Sequence, residues 1–168
     1  EHWFDDHTLL ASGFPDAAGN REIYLIDVDT GEMTTVLSDD FHYSSPRISP
    51  DGNWIAYSAL ESGRQEVYVR SWPDLAVKWQ VSRDGGAVPS WSPDGSELVF
   101  ASGAALELRT VDFDTSDGEP KFGIPVRTVA LSPEMQWPSL SPQHDRLYYA
   151  DVKEPGVLPP ARIVFGWQ

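Results

Sequence analysis

The string Ser-Pro-Asp-Gly occurs twice in this sequence, and each copy stands between two short apolar stretches. The copies are Ser49–Gly52 and Ser92–Gly95. Proline fixes φ at about −65° at the second position of a tight turn, and aspartate tolerates the backbone conformation that the third position needs. Glycine at the fourth position closes the turn. Each copy therefore predicts a short strand, a sharp reversal and a longer strand.

The unit around this string repeats along the chain. A divergent third copy covers Pro138–Ala150, and a fourth is visible at Asp5–Ser12. The copies lie 46, 43 and 49 positions apart when the following residues are taken as equivalent: Asp5, Asp51, Asp94 and Gln143. Steps of roughly 40–50 residues are typical of propeller repeats. Helical repeats of that length are disfavoured, because no apolar period of about 3.6 is sustained along the chain.

Alternating β-branched and aromatic residues predict four strands in each repeat, here named A to D. The expected positions are 46–48, 89–91 and 138–140 for strand A; 54–58, 97–101 and 146–150 for strand B; 22–28, 66–72, 106–112 and 162–166 for strand C; and 34–37, 78–82 and 125–130 for strand D. The segments 13–20, 112–122 and 153–160 are expected to be connections.

A meander of four antiparallel strands is one propeller blade. The expected fold is therefore all-β, a propeller with about four blades in a single domain, at approximately 1–39, 45–83, 88–131 and 137–168. Few residues follow the last C strand, so the last blade is expected to lack its outer strand and the chain to be part of a larger propeller. A closed four-bladed domain is the alternative.

These residues resemble a known family. The string Pro-x-Trp-Ser-Pro-Asp-Gly at Pro89–Gly95, together with the Glu-Val-Tyr-Val strand at Glu66–Val69, resembles the TolB-type β-propeller repeat. That repeat is found in many bacterial extracytoplasmic proteins. The resemblance covers most of residues 21–150 and implies a propeller fold with a periplasmic or other extracytoplasmic location. It implies little about activity, because one fold carries many functions.

A narrower resemblance concerns the run Glu66–Pro73, with Lys78–Ser82 and the pair Gly85–Gly86. This run is similar to the propeller attached C-terminally to bacterial eukaryotic-like serine/threonine kinases, and Ile163–Trp167 is similar to the ending of such propellers. The resemblance implies a sensory or scaffolding role in a receptor-like protein.

Composition excludes several classes of partner and site. The formal net charge is −14, with 26 acidic and 12 basic residues. Binding to nucleic acid needs clustered lysine and arginine, so a nucleic-acid partner is not expected. No apolar window is long enough to span a membrane. The chain has no cysteine, so neither a disulfide framework nor a thiolate metal site is available.

The sequence contains no recognisable catalytic or metal-binding pattern. The run Asp27–Glu32 resembles the start of a calcium loop, but a strand follows by Thr34, so it is interpreted as the turn between strands C and D. The four histidines never occur at ligand spacing, and no Gly-x-Ser-x-Gly string or phosphate-binding loop is present. We therefore predict no catalytic residue, no metal and no cofactor.

Recognition is expected on the face that carries the longer loops. In an antiparallel meander, the D–A and B–C connections share one face, and loops on a rigid scaffold commonly bind partners. The candidate residues on that face are Asp40, His42, Tyr43, Arg83, Asp84 and Trp137. The recurring tryptophans are interpreted as packing between blades, with Trp72 and Trp137 as alternative exposed stacking surfaces.

The resulting functional hypothesis is a non-catalytic module that binds a protein, peptide or small ligand, as the sensory or scaffolding part of a larger bacterial envelope protein. The expected partners are that protein or peptide and the remaining blades of the parent chain. The isolated chain is expected to self-associate through exposed sheet edges. The alternative is the gating propeller of a prolyl-oligopeptidase-like serine peptidase, whose catalytic domain would lie outside this chain.

Overall fold

The computed structural model describes residues 2–15, 19–102, 107–130, 135–140, 146–151 and 161–165. All regular secondary structure in these ranges is β-strand, arranged in four antiparallel sheets. Nowhere in these ranges is there a helix of the length and hydropathy needed to cross a membrane. The chain divides into two compact units, residues 1–89 and 90–168.

The first unit contains two four-stranded sheets whose strands follow one another in chain order. The first sheet consists of β1 (His2–Trp3), β2 (Thr8–Pro15), β3 (Arg21–Asp27) and β4 (Met33–Leu37). The second sheet consists of β5 (Tyr43–Ile48), β6 (Trp54–Ala59), β7 (Glu66–Ser71) and β8 (Lys78–Gln80). Each sheet is the meander that the repeat predicts.

The third sheet contains β9 (Ala87–Trp91), β10 (Glu97–Ser102), β11 (Glu107–Asp114), β12 (Lys121–Phe122) and β13 (Val126–Ala130). Both β12 and β13 pair with β11, at opposite ends of that long strand. The fourth sheet has three strands within the described residues, β14 (Met135–Leu140), β15 (Arg146–Asp151) and β16 (Ala161–Phe165).

Two sequence expectations need correction, and a third is not tested. Strand β2 continues to Pro15, where a loop was expected, because Gly13 pairs with Glu22 across the sheet. The segment 112–122 is not wholly a connection, since the ring of Phe122 packs 5.1 Å from that of Phe113 and β12 forms there. The segment 153–160 and the residues after Phe165 lie outside the described residues.

The first Ser-Pro-Asp-Gly turn is closed by local hydrogen bonds. The Gly52 N–H donates to the Ser49 carbonyl at 2.9 Å, and Gly52 has a φ of 73°. The Ser49 hydroxyl donates to Asp51 and accepts the Trp54 N–H at 3.0 Å. The Asp51 carboxylate also accepts the Asn53 N–H at 3.2 Å. Serine, aspartate and glycine therefore each have a defined structural role in the turn.

The second turn repeats these bonds. Gly95, with a φ of 74°, donates to the Ser92 carbonyl at 2.9 Å. The Ser92 hydroxyl accepts the Glu97 N–H at 2.9 Å and donates to Asp94 at 2.7 Å. Bonds from Ser92 and then from Ser96 hold the pKa of Asp94 down at about 2. The recurrence of the whole network shows that the string specifies the turn.

The core of the first unit is buried between its two sheets. Three tyrosine rings of the second sheet form its centre: Tyr57 lies edge-on to Tyr43 at 5.6 Å and stacks on Tyr68 at 5.8 Å. They pack in one cluster with aliphatic residues of both sheets, which are Leu10, Ile23, Leu37, Ile48 and Ile55. Aromatic pairs in this geometry add to the stabilisation that burial provides, so the loops above the second sheet rest on a rigid base.

Candidate binding site

Three connections of the first unit meet at one end of the second sheet, and we call them the loop face: residues 38–42, 60–65 and 81–86. The Leu60 N–H donates to the His42 carbonyl at 3.2 Å, and the Gly86 N–H donates to the Gln65 carbonyl at 2.9 Å. The Gln65 amide donates to the Ser44 hydroxyl at 3.1 Å. These bonds link D–A and B–C connections, so the loop face is one continuous surface.

The carboxylate of Glu66, the first residue of β7, joins two of the three connections of the loop face, 60–65 and 81–86. Glu66 is completely buried. Its Oε1 accepts from the guanidinium of Arg64, at 2.9 Å from Nε and 2.7 Å from Nη2. Its two oxygens both lie 3.1 Å from the Gly85 nitrogen, and Oε2 accepts from the Ser82 hydroxyl. A buried carboxylate is tolerated when it is paired and hydrogen-bonded in this way.

The partners of Glu66 extend this network into the neighbouring backbone. The Ser82 hydroxyl accepts the Val67 N–H at 2.7 Å, and the Arg64 guanidinium also donates to the Arg83 carbonyl. Gly86 packs so closely that a Cβ there would lie 2.5 Å from the Ser82 hydroxyl oxygen. This close approach accounts for glycine at position 86, and a φ of 91° accounts for glycine at position 85.

Strand register gives the first and third sheets a glutamate at the position that Glu66 has in the second sheet. The N–H groups of Val28, Trp72 and Phe113 donate to equivalent carbonyls in the three sheets, which fixes the alignment. In that alignment, three glutamates each face a small residue of strand B: Glu22 opposite Gly13, Glu66 opposite Ala59 and Glu107 opposite Ser102. The buried Glu107 also pairs with an arginine, Arg109, at 2.7 Å. Sequence reasoning missed this recurrence, whose signal is a glutamate at or next to the start of the first three C strands.

The structure places the predicted site residues in three different settings. Asp40, Arg83 and Asp84 are exposed on the loop face, and His42 is half-buried there. Tyr43 begins β5. Trp137 belongs to β14 in the second unit, where only the backbone is described. The first four residues therefore share one surface.

Tyr43 is a core residue and not a surface contact, contrary to the sequence expectation. Its side chain is 0% exposed. Register shifts between Ser44 and Arg47 of β5, and Ser45 has a φ of 52°. An extra residue in a strand reverses the alternation of its side chains. Tyr43 and Ile48 therefore both point into the core, although an odd number of positions separates them.

Four tryptophans, at positions 54, 72, 79 and 91, lie in aromatic contacts, whereas Trp3 is 59% exposed. The Trp54 and Trp79 rings pack at 5.6 Å, and Trp91 packs on Phe113 at 5.0 Å. Trp72 is half-buried, lies against the core cluster and meets Phe4 edge-on at 6.0 Å. These contacts favour the packing interpretation for Trp72 over an exposed stacking surface.

The Asp27 carboxylate closes the turn between β3 and β4. It accepts the N–H groups of Asp29 at 3.0 Å and Thr30 at 2.8 Å. The backbone bond from Thr30 is the main reason that the pKa of Asp27 is lowered. In the part of the chain that the structure describes, no three histidine or carboxylate side chains are arranged to hold a metal ion.

The chain is similar in sequence and in structure to TolB proteins. No family model matches the sequence. The Protein TolB homolog of Chlorobaculum tepidum is 36% identical over 83 residues, which cover 48% of this chain and 19% of that protein. The crystal structure of TolB from Acinetobacter baumannii has a TM-score of 0.64 at 20% identity, over 95% of this chain and 38% of that one.

A third similarity is to the β-propeller domain of Cps50 (Swd1) from Myceliophthora thermophila. Its TM-score is 0.59 at 11% identity, over 97% of this chain and 58% of that chain. These structures show that the chain has the β-propeller fold, which confirms the predicted fold class. Its relatives are TolB-like propeller proteins, and it spans only about a fifth of the length of the curated relative compared above.

Proposed function

We propose that this chain is a non-catalytic binding module of a larger propeller protein, and that its loop face binds a protein or peptide partner. The observation that carries this proposal is the Glu66 network, which joins the connections at 60–65 and 81–86 through one buried carboxylate. Exposed side chains at Arg83 and Asp84 are thereby presented on an ordered base, and the connection that carries Asp40 is tied to it by the bond from Leu60 to His42. Preordered loops lose less conformational entropy on binding. The similarity to TolB-like propellers agrees with a binding role.

The proposal also covers the cellular location of this chain and the kind of larger protein to which it belongs. The TolB-type resemblance supports an extracytoplasmic module with a sensory or scaffolding role, and the run Glu66–Pro73 supports a receptor-like serine/threonine kinase as the parent. The parental gene sequence tests both. A kinase domain and an apolar span upstream of Glu1 would support the kinase. A downstream hydrolase domain with a Gly-x-Ser-x-Gly string would instead support the peptidase-gating alternative.

Binding at the loop face is tested with a displayed library of random twelve-residue peptides. The library is selected on the wild-type chain, and the selected peptides are then titrated into 15N-labelled protein. We expect amide shifts concentrated in residues 39–44, 60–65 and 83–86. We also expect weaker binding to a charge-reversed variant, Asp40→Lys with Arg83→Glu. Selected peptides that shift only amides of another surface, or that bind the variant equally well, would contradict the proposal.

A further inference from the structure

We infer that the first sheet has a second packing face, and that this face binds the sheet of a further propeller repeat encoded upstream of Glu1 in the parental chain. We call it the upstream face. It is centred on four apolar residues that lie opposite one another across the four strands: Trp3, Leu9, Ile26 and Met33. The inference rests on the proposed membership of a larger propeller, and it adds the surface and the direction in which that propeller continues.

The four residues lie on the side of the first sheet that faces away from the core. Successive residues of a strand point to opposite faces of the sheet. Leu10 is completely buried in the core cluster between the first two sheets, so Leu9 and its cross-strand partners point the other way. Trp3 is 59% exposed and Met33 is 45% exposed. Adjoining apolar side chains that stay exposed commonly mark an interaction surface.

The second sheet shows what covers the equivalent face. Its register gives the equivalent row, which consists of Ile48, Ile55, Arg70 and Lys78. Ile48 is 7% exposed and Ile55 is 0% exposed, and both pack in the core cluster with Leu10 of the first sheet. This face of the second sheet is therefore covered by the sheet that precedes it in the chain. The same relation gives the first sheet a preceding sheet as its partner.

Two tyrosines at equivalent positions show the effect of that cover. Tyr24 in β3 and Tyr68 in β7 each follow the recurring glutamate by two positions. Tyr24 belongs to the upstream face, because it lies two positions from Ile26 in the same strand. Tyr68 is 4% exposed and packs in the core cluster, whereas Tyr24 is half-buried. The same residue type is thus buried under a preceding sheet and partly exposed on the upstream face.

The upstream face requires an apolar partner. In the second sheet, two cations form the outer half of the row, Arg70 and Lys78, whereas Ile26 and Met33 hold these positions in the first sheet. The upstream face is therefore apolar out to its last strand, and a covering sheet stabilises it most by presenting aliphatic side chains. The first sheet meets the second sheet through such residues, which include Leu10, Ile23 and Leu37. A sheet of the same chain also loses less translational freedom on packing than a second molecule does.

The first test is the sequence of the parental gene. We expect it to encode another repeat of this type within the roughly 40–50 residues upstream of Glu1, as the repeat length requires. That repeat should carry aliphatic residues at the equivalents of Leu10, Ile23 and Leu37. A parental gene that encodes no such repeat, or one with charged residues at those positions, would overturn the inference.

The second test measures the cover of the upstream face with a single thiol. The chain has no cysteine, so Met33→Cys introduces a unique one, and its rate of reaction with DTNB is compared in this chain and in the chain extended by the upstream repeat. We expect the extension to slow the reaction at least about tenfold, because a cysteine buried among apolar groups is inert. Val77→Cys is the matched control, because Val77 is 48% exposed beside β8, and its rate should change less than about twofold. Thr35→Cys, paired with Tyr24 across the strands, provides a second thiol if Met33→Cys does not fold.

The reaction rates also distinguish the other possible occupants of the upstream face. Equal rates in the short and the extended chain would overturn the inference. So would a slow reaction in the short chain at every concentration, which would show that another part of the same chain covers the face, or protection that grows with concentration, which would indicate a second copy. The proposed function is tested separately, because peptides from the library that mapped to the loop face would support binding there whichever result the thiols gave.

Discussion

The carboxylate of Glu66 and the main-chain nitrogen of Gly85 are hydrogen-bonded, with 3.1 Å separating the nitrogen from each carboxylate oxygen. This bond joins the start of β7 to the connection that follows β8. It depends on the left-handed conformation of Gly85, whose φ is 91°. The same carboxylate accepts from Arg64 and Ser82. One side chain therefore determines how two loops of the candidate binding surface sit on the sheet.

Replacing Glu66 with alanine should destabilise the chain strongly. The change leaves the buried Gly85 N–H without an acceptor and removes the partner of Ser82. We expect the free energy of unfolding to fall by about 2–4 kcal/mol, measured by urea denaturation. Glu32→Ala is the control, because Glu32 is exposed and its loss should change the free energy of unfolding by less than about 0.5 kcal/mol. Equal losses in the two variants would show that the buried carboxylate is not the organising group.

Gly86→Ala should destabilise through overpacking. The added methyl carbon would lie 2.5 Å from the Ser82 hydroxyl oxygen and 2.7 Å from its Cβ. Such contacts force a backbone shift, and we expect a loss of about 1–3 kcal/mol in urea denaturation. The control is Gly13→Ala, whose nearest neighbour is the Tyr24 ring at 3.7 Å. The equivalent residue of the second sheet is alanine, Ala59. A Gly13→Ala loss as large as that of Gly86→Ala would argue against the close packing described here.

The sequence could predict features whose hydrogen bonds close within a few residues. The turn at Ser49–Gly52 is such a case, because the Ser49 hydroxyl reaches Trp54 only five positions away. The Glu66 network could not be read in this way, since its acceptor and the Gly85 donor are 19 positions apart. The burial of Tyr43 was missed because the shift in register after Ser44 reverses the alternation of β5. Long-range contacts and strand bulges, and not weak sequence patterns, therefore limit how much of this structure the sequence could predict.

The stability contribution of Asp94 should depend on pH. Its carboxylate accepts bonds from Ser92 and Ser96, and its pKa is lowered from 3.8 to about 2. A carboxylate whose pKa is lower in the folded state stabilises that state above its unfolded pKa, and the contribution disappears as pH falls through the folded pKa. The difference in Tm between wild type and Asp94→Asn should therefore be constant above about pH 4 and shrink towards pH 2.

The pH experiment has a direct spectroscopic check. The 13C resonance of the Asp94 side-chain carboxyl should titrate well below the range of an unfolded aspartate. Other turn carboxylates with lowered pKa values, including Asp5 and Asp27, still contribute to the acid sensitivity of the variant. The comparison between the two proteins isolates Asp94 from them. A Tm difference that stays constant down to pH 2 would contradict the assignment of its hydrogen bonds.

Self-association of the isolated chain should depend on the outer part of the third sheet. Ile124 is 87% exposed and Val126, the first residue of β13, is 60% exposed. Apolar residues at a sheet edge favour pairing between molecules, and lysine at such positions opposes it. We expect wild type to associate at micromolar concentration in size exclusion with light scattering, and Ile124→Lys with Val126→Lys to associate less. Val28→Lys with Val77→Lys is the control, because these exposed valines lie beside strands of the first two sheets and not beside β13. A monodisperse wild-type monomer that melts cooperatively would contradict the exposed-edge prediction and favour a closed four-bladed domain.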